Sequence, residues 1–190
     1  MVRAGALSLI EPELVRSLKR SEFDRLVELG LFADEHVELI EGTLVKMSPQ
    51  LAAHASTVTK LAQLLFAQLH GRWIVRSQAP LALSDDSEPE PDLAVVALGN
   101  YDASHPTSAL LVIEVADSSL RKDRAKAALY ARAGVPSYWI VNLAARTLEL
   151  YASPDGDRYA ESRTLRADDT AHLPALELAF VVADILPVTR

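Results

Sequence analysis

Residues 110–116 are the part of the sequence that most limits the fold, because they form an apolar run interrupted only by Glu114. Such a run is typical of a strand buried on both faces of a sheet, with a layer of structure on each side. A helical pattern follows over residues 121–133 and ends at Gly134, and residues 137–142 again have the pattern of a strand. This order of strand, helix and strand predicts a crossover unit in an α/β fold.

Shorter elements are predicted in the rest of the chain, with no internal repeat or linker between them. A length of 190 residues, of which 49% are hydrophobic, suits a single domain over residues 1–190 with a full core. Hairpins are predicted over residues 37–47 and 147–165, because each contains a central turn sequence. The other predictions are helices over residues 21–30, 51–70 and 180–186 and strands over residues 73–78, 80–83, 92–97 and 109–115.

The residue types present exclude several kinds of site. The chain has no cysteine, which excludes a disulfide framework and any thiolate site for zinc or an iron–sulfur cluster. Its histidines are scattered, and it contains no glycine-rich phosphate loop, dinucleotide-binding fingerprint, serine-hydrolase elbow or zinc-protease motif. A metal site in this chain is therefore expected to use oxygen ligands.

No segment predicts secretion or membrane insertion. Residues 1–10 lack an apolar run of signal-peptide length, and the uncharged apolar runs fall far short of the roughly 20 residues that span a bilayer. We expect a soluble, cytoplasmic protein with no membrane partner. The net charge of −7 disfavours an extended basic face for DNA, but it allows a local basic strip beside an acidic cluster.

Two carboxylates are predicted to meet at one end of the sheet. Glu114 lies inside the buried run, Asp92 begins the strand over residues 92–97, and Ala103 lies midway between them. An antiparallel turn near Ala103 brings the two acids level, with Cβ atoms roughly 5 Å apart, where like charges are destabilising unless neutralised. A divalent cation, Mg²⁺ or Mn²⁺, would neutralise them. The alternatives are an exposed Asp92 and a Glu114 that reaches solvent or pairs with an arginine.

The predicted helix over residues 121–133 begins with the most basic segment of the chain. Lys122, Lys126 and Tyr130 recur at every fourth position and share one stripe, which a short crossover would place beside the two acids. A lysine there could orient a water molecule or stabilise charge on a phosphoryl group, whereas the alternative is a solvated helix face. The side predicted to face the core consists of Ala125, Ala128, Leu129 and Ala133.

Several motifs occur together in an order that one known family shares. They are VELIEG at residues 37–42, MSP at 47–49, His54, PD at 91–92, IEV at 113–115 with Ser118, and LYARAGVPSYWIVN at 129–142. Over roughly residues 20–155 the sequence therefore resembles the Uma-type restriction endonuclease family of the restriction-endonuclease-like PD-(D/E)XK superfamily. The resemblance implies a restriction-endonuclease-like core, which is a central mixed β-sheet flanked by helices, with N-terminal and C-terminal hairpin additions.

The resemblance also implies a set of catalytic residues. Asp92 and Glu114 match the acids that bind Mg²⁺ in the superfamily. The superfamily lysine normally stands two residues after the second acid, but Ala116 occupies that position here. By its spacing to the tyrosine of the family motif, Lys126 is expected to take the role of this lysine, and Lys122 is the alternative.

Three further residues are accessory candidates. Glu38 or Glu41 could complete the metal shell, although hairpin acids are commonly solvated and Glu41, beside the turn glycine, is expected to be the more exposed. His54 could contact a phosphate or a water molecule, or serve a structural purpose. Tyr138 and Trp139 are expected in the core or at a subunit contact, which leaves a homodimer open.

The leading hypothesis is a Mg²⁺-dependent or Mn²⁺-dependent endonuclease that binds DNA weakly and hydrolyses its phosphodiester bonds. One alternative is a catalytically silent nuclease-fold module that binds nucleic acid or protein, which the net charge of −7 and Ala116 favour. A further alternative is a hydrolase of small phosphoesters.

Overall fold

The computed structural model describes residues 15–188. Residues 1–10, in which the sequence predicts no secretion signal, lie outside this range. No helix within the described range has both the length and the apolar character needed to cross a bilayer. The helices are α1 (Arg20–Glu28), α2 (Ala52–Leu69), α3 (Leu120–Arg132) and α4 (Val182–Ile185), with a 3₁₀ helix at Pro174–Leu176. The strands are β1 (Val37–Ile40), β2 (Thr43–Lys46), β3 (Ile74–Ser77), β4 (Leu93–Val96), β5 (Leu111–Ala116), β6 (Ser137–Asn142), β7 (Thr147–Asp155), β8 (Arg158–Arg166), β9 (Thr170–Leu173) and β10 (Leu178–Val181).

Six strands form the central sheet in the order β3-β4-β5-β6-β7-β8, and the hairpins β1-β2 and β9-β10 form separate two-stranded sheets. The crossover helix α3 connects β5 to the parallel strand β6, and the other neighbouring strands of the sheet are antiparallel. The structure thus has the mixed sheet flanked by helices that the sequence predicts. The predicted late hairpin extends this sheet, because β7 pairs with β6.

Each face of the sheet is covered by a helix. Leu61 of α2 packs in one core with Ile113 of β5, and Tyr130 of α3 packs in the other core with Val112 of β5. Adjacent residues of β5 therefore face opposite cores, as expected from the period of two in a strand. The same alternation places Glu114 on the side of the sheet that α3 covers.

The register between β4 and β5 aligns the two predicted acids. Leu93 lies opposite Ile113 in the antiparallel pair. One residue further along, Asp92 lies level with Glu114, as the symmetric spacing around Ala103 predicts. Asp92 stands immediately before β4 rather than inside it, so its side chain is at the end of the strand.

The β1-β2 hairpin is fixed by its turn and by a loop that contacts it. Glu41 and Gly42 both have positive φ, at 48° and 73°, which is the backbone of a two-residue hairpin turn. Leu39 exchanges backbone hydrogen bonds with Glu88, with N···O distances of 3.3 and 2.8 Å. These contacts hold the hairpin against the sheet and carry its neighbour Glu38 towards α3.

Two local predictions were wrong. Residues 80–83 do not form a strand, because Leu81 and Ala82 donate their backbone N–H groups to loop carbonyls at 2.9 and 2.8 Å. The apolar character of this segment reflects the burial of Leu81 rather than strand pairing. The helix predicted over residues 180–186 is limited to Val182–Ile185, since the preceding residues form β10 against β9.

Two predictions about side-chain environment also have clear outcomes. The predicted core side of α3 is correct for Leu129, which is buried, and wrong for Ala125, which is exposed; Asp123 and Lys126 are buried as well. Tyr138 and Trp139 are in the core, with exposed fractions of 0% and 2%. This aromatic pair therefore offers no surface for a subunit contact.

Candidate functional site

Asp92 and Glu114 are joined through the backbone at the end of β4 and β5. The backbone N–H of Val115 donates to Oδ2 of Asp92 at 2.7 Å, and the N–H of Asp92 donates to Oε2 of Glu114 at 3.4 Å. The carboxylate of Asp92 is thus bound by the backbone of β5, and the carboxylate of Glu114 is bound by the backbone of Asp92 itself. Both side chains are nearly buried, with residue exposures of 8% and 5%.

The ammonium group of Lys126 lies between two buried carboxylates. Its Nζ donates to Oε1 of Glu114 at 3.0 Å and to Oε2 of Glu38 at 2.7 Å. One turn further along α3, the hydroxyl of Tyr130 donates to the same Oε1 of Glu114 at 3.2 Å. Lysine is almost never fully buried unless paired, and these two pairs account for its burial.

Glu38 reaches this cluster from the β1-β2 hairpin and is almost completely buried. Its Oε1 accepts a hydrogen bond from Nζ of Lys122 at 3.2 Å, and its Oε2 accepts one from the backbone N–H of Glu90 at 3.2 Å. The carboxylate therefore ties the hairpin both to α3 and to the segment that leads into Asp92.

The charged side chains in this cluster shift one another's pKa values. Burial raises the pKa of Glu114 to about 7, although Lys126 acts in the opposite direction. Burial also disfavours a charged Glu38, but Lys126 and Lys122 outweigh it and lower the pKa of this carboxyl. Burial opposes the charge on Lys126, and the adjacent Glu114 and Glu38 outweigh it, so the pKa of Lys126 is raised. The two carboxylates therefore favour the charged form of Lys126.

His54, near the start of α2, contacts the carboxylate of Asp92. Its Nε2 lies 3.1 Å from Oδ2 of Asp92. The hydrogen bond to Asp92 outweighs partial burial and raises the pKa of His54. Its Nδ1 is buried and has no hydrogen-bond partner within the described range.

These side chains line an open cleft with a volume of about 490 Å³. Asp92, Glu114, Asp123 and Lys126 are its buried charged side chains, while Lys46 and Lys122 add positive charge from more exposed positions. Acids that suit a divalent ion thus lie in one cleft with lysines that suit a phosphate group, and Glu90 and Asp117 complete the acidic part of the lining.

Residues 20–188 match the family described as Uma2, putative restriction endonuclease. The chain belongs to the Uma2 family. A crystal structure of a putative nuclease belonging to DUF820 from Anabaena variabilis ATCC 29413 matches with a TM-score of 0.68 and 14% identity, covering 80% of this chain and 90% of that chain. At this identity the match shows a shared fold. A comparison with curated proteins finds no match.

The Uma2 fold brings together most of the residues singled out from the sequence. Asp92, Glu114, Lys126, Lys122 and His54 line the cleft. Glu38 joins them through its contacts with both lysines.

Glu41 is the exception among the accessory candidates, because it is exposed and forms an ion pair with Arg132. Two other residues of the cluster were missed as site residues in the sequence. Asp123 lines the cleft and accepts a hydrogen bond from Ser119, and Tyr130 contacts Glu114. Their position on the same helix stripe as Lys126 was the available signal.

The oxygen donors that this Uma2 cleft offers a divalent ion are the carboxylates of Asp92 and Glu114, and both oxygens of Glu114 already accept hydrogen bonds. In residues 15–188 no group of three or more histidines or acids is arranged to hold a metal ion. Mg²⁺ characteristically uses one or two carboxylates and keeps several waters, and Asp92 and Glu114 supply two. The contacts of Asp92 with His54 and Val115 both use Oδ2, so Oδ1 is available to a further ligand.

Replacing His54 by glutamine is expected to destabilise this Uma2 protein more at acid than at alkaline pH. The folded-state pKa of His54 is raised, so its contribution is fully present below the unfolded-state pKa and is lost as pH rises through the folded-state value. We expect a loss of about 1 kcal/mol at about pH 5.5 and a smaller loss at about pH 8.5. Urea unfolding at both pH values measures the difference.

The matched control for this prediction is His172→Gln, because His172 is exposed on β9. We expect that variant to unfold like the wild type at both pH values. An equal loss of stability at acid and alkaline pH for His54→Gln would contradict the contribution assigned to the His54–Asp92 hydrogen bond.

Proposed function

We propose that this Uma2 protein is a Mg²⁺-dependent or Mn²⁺-dependent endonuclease that hydrolyses phosphodiester bonds in DNA. The observation that carries the proposal is the pairing of Asp92 with Glu114 beside the buried ammonium group of Lys126 in an open cleft. Membership of a family described as restriction endonucleases and a nuclease-like fold support a hydrolytic function.

In this proposal Asp92 and Glu114 hold the divalent ion. When bound, the ion supplies Lewis acidity toward the phosphate and lowers the pKa of water. His54 and the N–H of Val115 restrain the Asp92 carboxylate through Oδ2, which keeps its other oxygen in a defined place. Hydrolysis joins a water oxygen to phosphorus and breaks one P–O ester bond, which leaves a phosphate monoester and a hydroxyl end.

Lys126 supplies fixed positive charge on the α3 side of the cleft. The attacked phosphate gains negative charge on its oxygens, and a cation already held by Glu114 and Glu38 can stabilise that charge without reorganising. The more exposed Lys122 and Lys46 can attract the DNA backbone to the cleft, while the net charge of −7 makes this attraction weak and sensitive to salt.

The proposal is tested by incubating supercoiled plasmid with the full chain and Mg²⁺, Mn²⁺ or EDTA. We expect nicked and linear products with either metal and none with EDTA, because two carboxylates cannot activate water without the ion. A double-stranded oligonucleotide and a small chromogenic phosphodiester serve as the second and third substrates. Absence of DNA cleavage with both metals would contradict the proposal, and turnover of the small phosphodiester alone would favour a small-phosphoester hydrolase.

A second candidate function is a catalytically silent binding module. The specific observation in its favour is that both carboxylate oxygens of Glu114 already accept hydrogen bonds. Oε1 accepts from Lys126 and Tyr130, and Oε2 accepts from the backbone N–H of Asp92. Calorimetric titration with Mg²⁺ separates the two functions. Saturable binding at millimolar or lower concentration favours the nuclease, and absence of heat favours the silent module.

A further inference from the structure

A second cleft, with a volume of about 560 Å³, adjoins the catalytic cleft and shares Glu90 with it. It lies between α1, the segment around His36 and the loop over residues 101–105. None of the steps proposed for phosphodiester hydrolysis uses it. Its wall contains the aromatic rings of Phe23, Phe32 and Tyr101.

Glu88 supplies a buried carboxylate to this second cleft. The residue is only 5% exposed, and its Oε2 has no hydrogen-bond partner among residues 15–188. The nearest basic groups are the guanidinium of Arg20 and the imidazole of His105, whose nitrogens lie 3.9 Å from Oε2 and Oε1, too far for a hydrogen bond; burial and the charge of Arg76 lower the pKa of His105. Burial, and then the charge of Asp24, raise the pKa of Glu88 to about 7. A buried carboxylate oxygen without a hydrogen-bond donor is unfavourable, and the described residues donate no hydrogen bond to Oε2 of Glu88.

The remaining charges decide which class of donor fits. Besides Glu88, the cleft is lined by five acids, against one arginine and two histidines. Such a surplus of negative charge disfavours phosphate and other anions, while a neutral apolar molecule would leave Glu88 unpaired. The five acids are Asp24, Glu28, Glu35, Glu90 and Asp102.

We propose that the second cleft binds an organic cation, an ammonium or guanidinium group, whose N–H donors pair with Glu88 while the π faces of the aromatic wall lie against the cation. Aromatic rings attract such cations through their π faces, and a charge-assisted hydrogen bond to a desolvated carboxylate is among the strong ones. The rings of Phe23 and Phe32, with centroids 5.8 Å apart, provide one side of this wall. The cation can be a free polyamine or an arginine side chain of a protein.

Calorimetric titration of the full chain without metal or DNA tests the proposal, with spermidine and N-acetyl-argininamide as probes. About 150 mM NaCl screens diffuse attraction to the acidic surface. We expect saturable binding of at least one probe at a single site. Tighter binding of spermidine indicates a free polyamine, and tighter binding of N-acetyl-argininamide indicates an arginine side chain. Because the titration needs neither metal nor DNA, its outcome is independent of the nuclease proposal.

Single substitutions test whether the probe binds at Glu88 and the aromatic wall. Glu88→Gln is expected to weaken it by about tenfold or more, because it removes the buried charge, and Phe32→Leu by about threefold, because it removes a π face. The matched control Glu161→Gln, on exposed β8, should bind like the wild type. Binding by neither probe, or equal binding by a folded Glu88→Gln, would overturn the proposal. If Glu88→Gln does not fold, N-acetyl-norleucinamide decides: equally tight binding of this neutral amide overturns the proposal, and its failure to bind upholds it.

Discussion

Asp92→Asn is expected to lower the rate of plasmid cleavage by about 10²–10³-fold at saturating metal. The substitution keeps the size of the side chain but removes the negative charge and one of the two carboxylates proposed to hold the ion. Asparagine can still accept one hydrogen bond from Val115 through its amide oxygen, so the end of β4 should keep its conformation. Initial rates with Mg²⁺ and with Mn²⁺ measure the effect.

Asp155→Asn is the matched control for this prediction. Asp155 is the exposed last residue of β7 and forms only a surface ion pair with Arg158, which contributes little to stability. Its variant should cleave at the wild-type rate. Circular dichroism should show that the Asp92 variant is folded, and cleavage within about tenfold of the wild type by a folded Asp92→Asn would rule out its role.

Calorimetry with Mg²⁺ separates two reasons why the Asp92 variant could be slow. If Asp92 is a metal ligand, the apparent affinity for the ion should fall together with the rate. If cleavage falls while the affinity stays unchanged, Asp92 acts on the phosphate or the water instead. In that case the ion is held without Asp92, and Glu114 becomes its principal carboxylate.

The acidic pair could be predicted from the sequence because its geometry depends on a single local connection. Asp92 and Glu114 lie on consecutive strands of the sheet, and the symmetric spacing around Ala103 sets their register. The apolar run around Glu114 further identified the strand as central, and the structure places it between two cores. Both inferences use only the two-residue period of side chains along a strand and the pairing register of two antiparallel strands.

The contacts of Lys126 could be predicted only in part. The stripe of Lys122, Lys126 and Tyr130 follows from helix periodicity, but the alanines of α3 suggested that the other side would be buried. Lys126 and Tyr130 of this stripe are buried because the ammonium group pairs with Glu114 and Glu38 and the hydroxyl group pairs with Glu114. The pairing with Glu38 depends on how the distant β1-β2 hairpin docks, and hydrophobic periodicity contains no information about that contact.

The second cleft could not be predicted at all. Nothing in the sequence around Glu88 indicates that its side chain is buried, and in the structure this residue pairs through its backbone with Leu39 of the distant hairpin. Residues 80–83 resemble a strand for a different reason, because Leu81 is buried while the N–H groups of Leu81 and Ala82 donate to loop carbonyls. In both cases the sequence pattern contains no information about the loop contacts that decide the outcome.

Lys126→Met is expected to lower the free energy of unfolding by about 3–5 kcal/mol at about pH 8. Methionine fills a similar volume, but it leaves the carboxylates of Glu114 and Glu38 buried without their shared cation. Removing one partner of a buried ion pair is strongly destabilising for this reason. Urea unfolding followed by circular dichroism measures the loss.

The pH dependence of this loss has a definite sign. The pKa of Glu114 is already raised to about 7 by burial, and removal of Lys126 should raise it further. An acid with a raised folded-state pKa contributes stability that is present below its unfolded-state pKa and is lost as pH rises through the folded-state value. The deficit of Lys126→Met should therefore be smaller at about pH 5 than at about pH 8.

Two further variants distinguish loss of charge pairing from loss of packing. Lys122→Met removes a more exposed cation from the same Glu38, and we expect it to lose about 1 kcal/mol or less. Adding Glu114→Gln to Lys126→Met removes one of the stranded charges and should restore about 1–2 kcal/mol at about pH 8. If the double variant is no more stable than Lys126→Met, the stranded charge of Glu114 does not cause the loss, and the Lys126–Glu114 ion pair contributes little to stability.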